Sequence, residues 1–236
     1  MFLLSCASSG SKPKPVILDQ PPPPPAVGQW FEYNHKGPRP WGDAAQDATG
    51  TRRVQVTAVE EDKKTRLWAF EETFAGSSDV QTSYFDAGYL LFRQHLQGPG
   101  GELGIEYSSP MPVRHLPLQP EKEEEFSSDQ KIINPFDQSV FGTSKITLHT
   151  KRLTDERLVT PAGALLCRHF QTRVTLDSTL FGETITFTSQ EETYWCDKIG
   201  WFVMEKQTFE PIIQNGEIVR PGYQTESLLQ DYDQSP

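Results

Sequence analysis

The chain has 236 residues, with 22 basic and 32 acidic side chains and a net charge of −10, a balance that repels nucleic-acid phosphates at long range and argues against nucleic acid as a partner. With 19 prolines, 17 glycines and 36% hydrophobic residues, the composition is turn-rich yet able to build a core without a metal or several staples. No run approaches the roughly 18 to 20 apolar residues of a membrane-spanning helix, so attachment to a membrane requires an anchor.

The first residues supply a candidate anchor. Leu3-Leu4-Ser5-Cys6 fits the four positions of a lipobox, the site at which bacterial lipoproteins are cleaved and acylated on cysteine. Residues 1–6 therefore read as the end of a signal and Cys6 as the lipidation site. Only five residues precede the cysteine, short of the apolar stretch of about 7 to 15 that a secretory signal carries. Either the natural start lies upstream or the likeness is accidental. Residues 7–27 follow as a tether: Ala7 to Lys14 are small and polar, and Pro21 to Pro25 donate no backbone hydrogen bond to a helix or sheet. Extended as polyproline II, the tether spans up to roughly 60 Å. By resemblance to Gram-negative lipoproteins, Ala7 after the cysteine, in place of Asp, implies sorting to the outer membrane, facing the periplasm.

From Gly28 to Tyr232 the dominant period is two, the mark of strands with one buried face, and one β domain is expected over 28–232. In chain order the strands are Trp30 to Tyr33, a segment carrying Val54, Val56 and Ala58, Leu67 to Phe74, Gln81 to Phe85, and Tyr89 to Leu96. After them come a segment with Ile146 and Leu148, then Leu165 to Leu176, Glu183 to Cys196, and Trp201 to Phe209. Turns fall at Glu61-Asp62-Lys63-Lys64, Asp86-Ala87-Gly88, Gly98-Pro99-Gly100-Gly101 and Asn215-Gly216. Ser108 to Gln138, with five prolines around the acidic run Glu121 to Glu125, reads as a long irregular excursion holding one short strand. Short connections imply an antiparallel meander. The fold expected is all-β: a strongly curved sheet or a partly open barrel.

Strong chemical signatures are lacking: no nucleophile elbow, no phosphate loop, no Cys-x-x-Cys and no His-x-x-x-His. No catalytic residue, cofactor or metal ligand set is assigned, and an enzyme is the less favoured reading. His149 and His169 lie on polar strand faces and read as solvated. Glu191 and Glu192, adjacent on one strand, point to opposite faces and cannot work as a pair. The aromatic residues are the more suggestive feature. Trp30, Trp41, Trp68, Phe70, Trp195 and Trp201 would fill the concave side of the sheet, or line a cleft for a lipid or apolar peptide if the sheet stays open. The role expected is a non-catalytic envelope lipoprotein that binds an apolar ligand or an envelope-assembly partner on that concave face; the competing role is a purely structural or protein-interaction module with a closed core.

Thr160-Pro161-Ala162-Gly163 before a long strand, then Tyr194-Trp195 and Gly200-Trp201-Phe202-Val203, with Tyr84-Phe85-Asp86-Ala87-Gly88 and Leu116-Pro117-Leu118 earlier, resemble exported bacterial proteins of a domain-of-unknown-function type. The resemblance implies an antiparallel half-open barrel, similar to periplasmic lipoprotein carriers, and brings no catalytic residue. Cys196 stands where that pattern more often has an aromatic residue.

Strand register makes one sharper prediction. If Leu165 to Leu176 and Glu183 to Cys196 form a hairpin through Leu180-Phe181-Gly182-Glu183, then Leu176 faces Phe187 and Cys167 falls opposite Cys196, both on the more polar face. Opposed residues are spaced within disulfide range. A longer loop would shift the register and leave two separate thiols.

Overall fold

The computed structural model describes residues 24–38, 49–62, 64–113, 119–180, 183–214 and 217–233. Cys6 with the rest of the lipobox, the tether through residue 23, Trp41, Leu116-Pro117-Leu118 and the turn Asn215-Gly216 lie outside the described residues. Among those described there are 15 strands and no helix: β1 (Trp30–Lys36), β2 (Gly50–Asp62), β3 (Thr65–Phe74), β4 (Val80–Phe85), β5 (Leu90–Gly98), β6 (Gly101–Pro112), β7 (Glu123–Ile133), β8 (Val140–Arg152), β9 (Glu156–Thr160), β10 (Gly163–Leu180), β11 (Glu183–Cys196), β12 (Trp201–Phe209), β13 (Ile212–Gln214), β14 (Glu217–Arg220) and β15 (Tyr223–Tyr232).

Twelve of them close an antiparallel barrel in chain order, from β1 to β8 and then β10, β11, β12 and β15, with β15 returning to β1. The expected curved antiparallel sheet is present, and its curvature runs to full closure. An even number of strands lets an up-and-down meander meet its own start antiparallel, which removes both sheet edges. β9 pairs only with Gly163 to Cys167 at the start of β10, before β8 takes over that edge at Phe170. β13 and β14 form a separate hairpin between β12 and β15.

Connections alternate between two ends. The β1–β2, β3–β4, β5–β6, β7–β8, β10–β11 and β12–β15 connections lie at one, here called the upper end. The chain enters at the lower end, where Gly28 N–H donates to the Val56 carbonyl at 2.8 Å and Val56 N–H donates to the Gln29 carbonyl at 2.8 Å. The turn signals have local causes. Asp86 Oδ1 accepts from the Gly88 and Leu90 amides at 2.8 and 2.9 Å, and Gly163 takes a φ of 119° after Pro161-Ala162, a conformation strained for any residue with a Cβ.

Two expected strands, Glu183 to Cys196 and Trp201 to Phe209, match β11 and β12 end to end. The stretch from Ser108 to Gln138 needs correction. β6 continues to Pro112, and Glu123–Ile133 is an 11-residue strand whose first residues belong to the acidic run, with Glu123 opposite Lys151. Its inward residues include Ser128 and Gln130, 3% and 5% exposed, so burial without hydrophobicity hides the strand from a hydropathy pattern. β15 was missed for the same reason, since Thr225 and Ser227 are among its inward residues.

The outer face is polar. Lys145, His149 and Lys151 on β8 stand opposite Asp177, Arg173 and Gln171 on β10, and Asp177 accepts from the Thr186 hydroxyl on β11 at 2.7 Å. Such a face suits water and not a lipid-facing apolar band.

Candidate functional site

Inward residues divide the barrel into a filled lower end and a hollow upper one. At the lower end Trp201 stacks on Phe70, with ring centroids 4.6 Å apart and 18° between planes, and on Phe31 at 5.7 Å. Phe85 meets Trp201 edge-on, and Tyr89 meets Trp195 edge-on at 4.9 Å. Phe31 and Trp195 are fully buried and Tyr89 is 1% exposed. This cluster forms a plug. It is braced by Asp197, which accepts from Trp195 Nε1 at 3.1 Å and from Arg168 Nε at 2.8 Å.

Above the plug is a cavity of about 620 Å³, within the range of small-molecule sites. Twelve strands enclose more space than side chains fill, since about eight already leave only room for side chains. The two halves of its wall differ in chemistry. Every charged residue that the barrel strands contribute to the lining, Arg52, Glu72, Glu191 and Glu205 together with His35, comes from the contiguous strands β11, β12, β15, β1, β2 and β3; Arg220 of β14 adds a cation at the rim. Leu91, Ile105, Met111, Ile146, Val174 and Leu176 face them from β5, β6, β8 and β10.

The charged half is built as a tier. The Tyr33 hydroxyl donates to the Phe202 carbonyl at 2.8 Å, and the Arg52 guanidinium lies 5.1 Å from the centroid of the Tyr33 ring. Arg52 Nη2 donates to Glu72 at 2.8 Å and Nη1 donates to Glu205. Burial disfavours the Arg52 cation, but Glu205 and Glu72 outweigh it and raise its pKa. Burial, then the Glu205 charge, holds the Tyr33 hydroxyl well above its ordinary range.

Glu191 is placed differently. Oε1 accepts from Gln207 Nε2 at 3.3 Å and from the Ser189 hydroxyl at 3.5 Å, and no cation among the described residues is paired with it. Burial, then the charge of Glu205, pushes its pKa up to about 7. His35 stands higher on β1, 3% exposed. Its Nδ1 bonds the Ser227 hydroxyl at 2.9 Å, while Nε2 has no partner within hydrogen-bonding geometry, although the Gly37 and Pro38 carbonyls lie near the ring. Burial, then Arg52, lowers its pKa. Arg52 Nε is likewise unpartnered. A small polar group entering the lumen would meet donors and acceptors that the fold leaves unsatisfied.

The expected aromatic lining is therefore met only in part. Phe70 and Trp201 border the cavity. Trp195 and Trp68 belong to the packed core, with Arg66 5.3 Å from the Trp68 centroid. Trp30 alternates with the inward Phe31 and so faces outward, where Arg53 lies over its ring at 4.8 Å. The lumen carboxylates Glu72, Glu191 and Glu205 were not singled out as site residues. The only signal for them was a charged residue at an inward position of a strand.

Adjacent Glu191 and Glu192 do point to opposite faces: Glu192 accepts from His169 Nε2 at 2.8 Å and from the Tyr194 hydroxyl at 3.0 Å outside the barrel. His149 is solvated, with a side chain 55% exposed. His169 is not, since it stacks on Tyr194 at 4.1 Å and is 8% exposed.

The hairpin register is the one expected. Leu176 faces Phe187, pairing continues to Leu180 opposite Glu183, and Arg168 opposite Trp195 places Cys167 against Cys196. Their surroundings differ from the expectation, because both are buried in the core, at 0% and 1% exposure, and do not lie on a polar face. Here β9 covers the start of β10. No S–S bond joins the two sulfurs in the structure. The thiols share a hydrogen bond, which favours ionisation at Cys196 and opposes it at Cys167.

No family model and no curated protein matches the chain. Among solved structures, it is similar to a candidate exported protein with a YmcC-like fold from Bacteroides fragilis, at 15% identity and a TM-score of 0.46, over 90% of this chain and 99% of that one. It is also similar to a candidate lipoprotein from Parabacteroides distasonis, at 14% identity and a TM-score of 0.42, over 89% of this chain and 97% of that one. The hypothetical lipoprotein YmcC from Escherichia coli K12 aligns at 12% identity and a TM-score of 0.38, over 87% of this chain and 88% of that one. These three are exported proteins or lipoproteins by description.

Proposed function

We propose that this is a non-catalytic envelope lipoprotein, acylated at Cys6 and held by its proline-rich tether at the outer membrane facing the periplasm, whose barrel receives the apolar chain of a small ligand. The observation that carries this reading is the cavity of about 620 Å³ above an aromatic plug, with Ile146, Val174 and Leu176 of β8 and β10 among its lining. A chain laid against Ile146, Val174 and Leu176 would leave water at about 25 cal/mol per Å² of apolar surface buried. Residues 28 and 29 join the barrel at the plugged end, opposite the hollow one. In an oxidising compartment the opposed Cys167 and Cys196 become a disulfide within the core.

The test is titration of the full chain with N-phenylnaphthylamine, whose fluorescence rises in apolar surroundings. Saturable binding that dodecanol displaces, and that a Leu176→Trp variant of unchanged far-ultraviolet dichroism loses, is the expected result. A wild-type protein that gives no saturable signal is a structural module with no ligand.

A further inference from the structure

Resting on that reading, we infer that the ligand is an amphiphile with a cationic head, of the primary-ammonium class, whose nitrogen is received by Glu191 between β11 and β12. The lumen presents three carboxylates, Glu72, Glu191 and Glu205, and its cations are already engaged. Arg52 is held by Glu72 and Glu205 together. Arg220, at the rim, donates to the Tyr223 hydroxyl at 3.0 Å and lies 4.7 Å from the centroid of that ring. At the wall formed by the barrel strands an anionic head would have to displace Glu72 or Glu205 from Arg52, and Arg220, whose partner is the neutral Tyr223 hydroxyl, stands at the rim on β14, away from Glu191 on β11. A cationic head would supply the charged partner that Glu191 lacks.

Glu191 is held by neutral donors only, the Gln207 amide and the Ser189 hydroxyl, both to Oε1. A buried carboxylate in that state is costly when charged and is stabilised by a cation that arrives with the ligand. Two further observations point to a polar occupant. His35 Nε2 and Arg52 Nε are buried, unpartnered and part of the same wall. A wholly apolar ligand would leave them so, whereas an ammonium bearing hydroxyl or ester oxygens near its nitrogen would reach them. The opposite wall then takes the chain. The division of the ring into a charged run and an uncharged run, whose β8 and β10 residues are the apolar Ile146, Val174 and Leu176, matches the two ends of one amphiphile.

The test compares three twelve-carbon probes on the full chain at pH 8: dodecylammonium, dodecanol and dodecanoate, each measured by displacement of N-phenylnaphthylamine and by change in Trp201 emission against a Trp201→Phe control. The expected order is dodecylammonium tighter than dodecanol by about tenfold, with dodecanoate weakest, the size expected of a buried charge-assisted contact. Glu191→Gln should bring dodecylammonium to the level of dodecanol measured on the same variant. Dodecanol binding with no preference for the ammonium overturns this inference alone, as does a preference that Glu191→Gln leaves intact. Failure of all three probes overturns the amphiphile reading beneath it. The wild-type comparison needs no variant, so it stands even if Glu191→Gln folds poorly.

Discussion

The two ends of the barrel are built from the same strands and differ only in what those strands turn inward. β11 carries Trp195 at the lower end and Glu191 and Ser189 above it; β12 carries Trp201 and then Glu205 and Gln207; β3 carries Phe70 and then Glu72. Where the inward side chains are large aromatics, twelve strands are wide enough to be filled. Where glutamates, glutamines, serines and aliphatic side chains interrupt the aromatics, the same width leaves a lumen. Stability is thus concentrated in the plug, and the upper end is free to carry polar groups that a packed core would reject.

Substitutions should separate the two ends. Trp195→Ala removes a fully buried ring and is expected to cost about 3 to 5 kcal/mol in urea unfolding, whereas Leu176→Ala, facing the lumen, should cost less than about 1 kcal/mol because part of its environment is already empty. Equal losses would erase the distinction.

The cysteine pair is the next largest effect. Crosslinking Cys167 to Cys196 should add roughly 3 to 4 kcal/mol by the loop-entropy model, less any strain. The check is free-thiol counting on unfolded, unreduced Cys6→Ser protein made in an oxidising compartment. Two reactive thiols per chain would show that the opposed register is used only for packing.

Glu191 gives a pH signature confined to the hollow end. Its carboxyl has an ordinary pKa of 4.5, raised to about 7 in the fold by burial and then by Glu205. The folded state therefore keeps the proton that the unfolded chain has released. Stability falls as pH rises from about 4.5 to about 7 on this account, and the penalty stays constant above that, at most about 3 kcal/mol. Glu191→Gln lacks the penalty. Its advantage over wild type in thermal unfolding should grow across that window and level off above it; a difference independent of pH would remove Glu191 from the lumen's electrostatics.

The smallest effect on the fold belongs to the anchor. Cys6→Ser should leave the unfolding curve unchanged and abolish acylation and detergent partitioning. A wild-type protein that stays in the aqueous phase with Met1 intact would refute the address proposed for it.

What the sequence made legible follows the same division. β11 and β12 were readable because their aromatic and β-branched residues alternate cleanly, and the pairing of Cys167 with Cys196 followed from that alternation and a short turn. β7 and β15 were illegible because their inward residues include Ser128, Gln130, Thr225 and Ser227, which line or border a cavity and so need not be apolar. The tryptophans drew attention because aromatic residues mark either core or cleft. Most proved to be core: Trp195 and Trp68 pack in the cluster, and Trp30 lies outside under Arg53. The site was carried by glutamates, whose inward placement depends on the closure of the ring.

Whether the upper lumen holds a ligand with an apolar chain can be read by native mass spectrometry of the full chain, extracted gently from its own membrane. A small amphiphile with a mass consistent with a nitrogen-containing head should be released from wild type and be missing from Leu176→Trp. A wild-type spectrum containing only the polypeptide and its acyl anchor, under conditions that keep the barrel folded, would contradict the presence of that ligand.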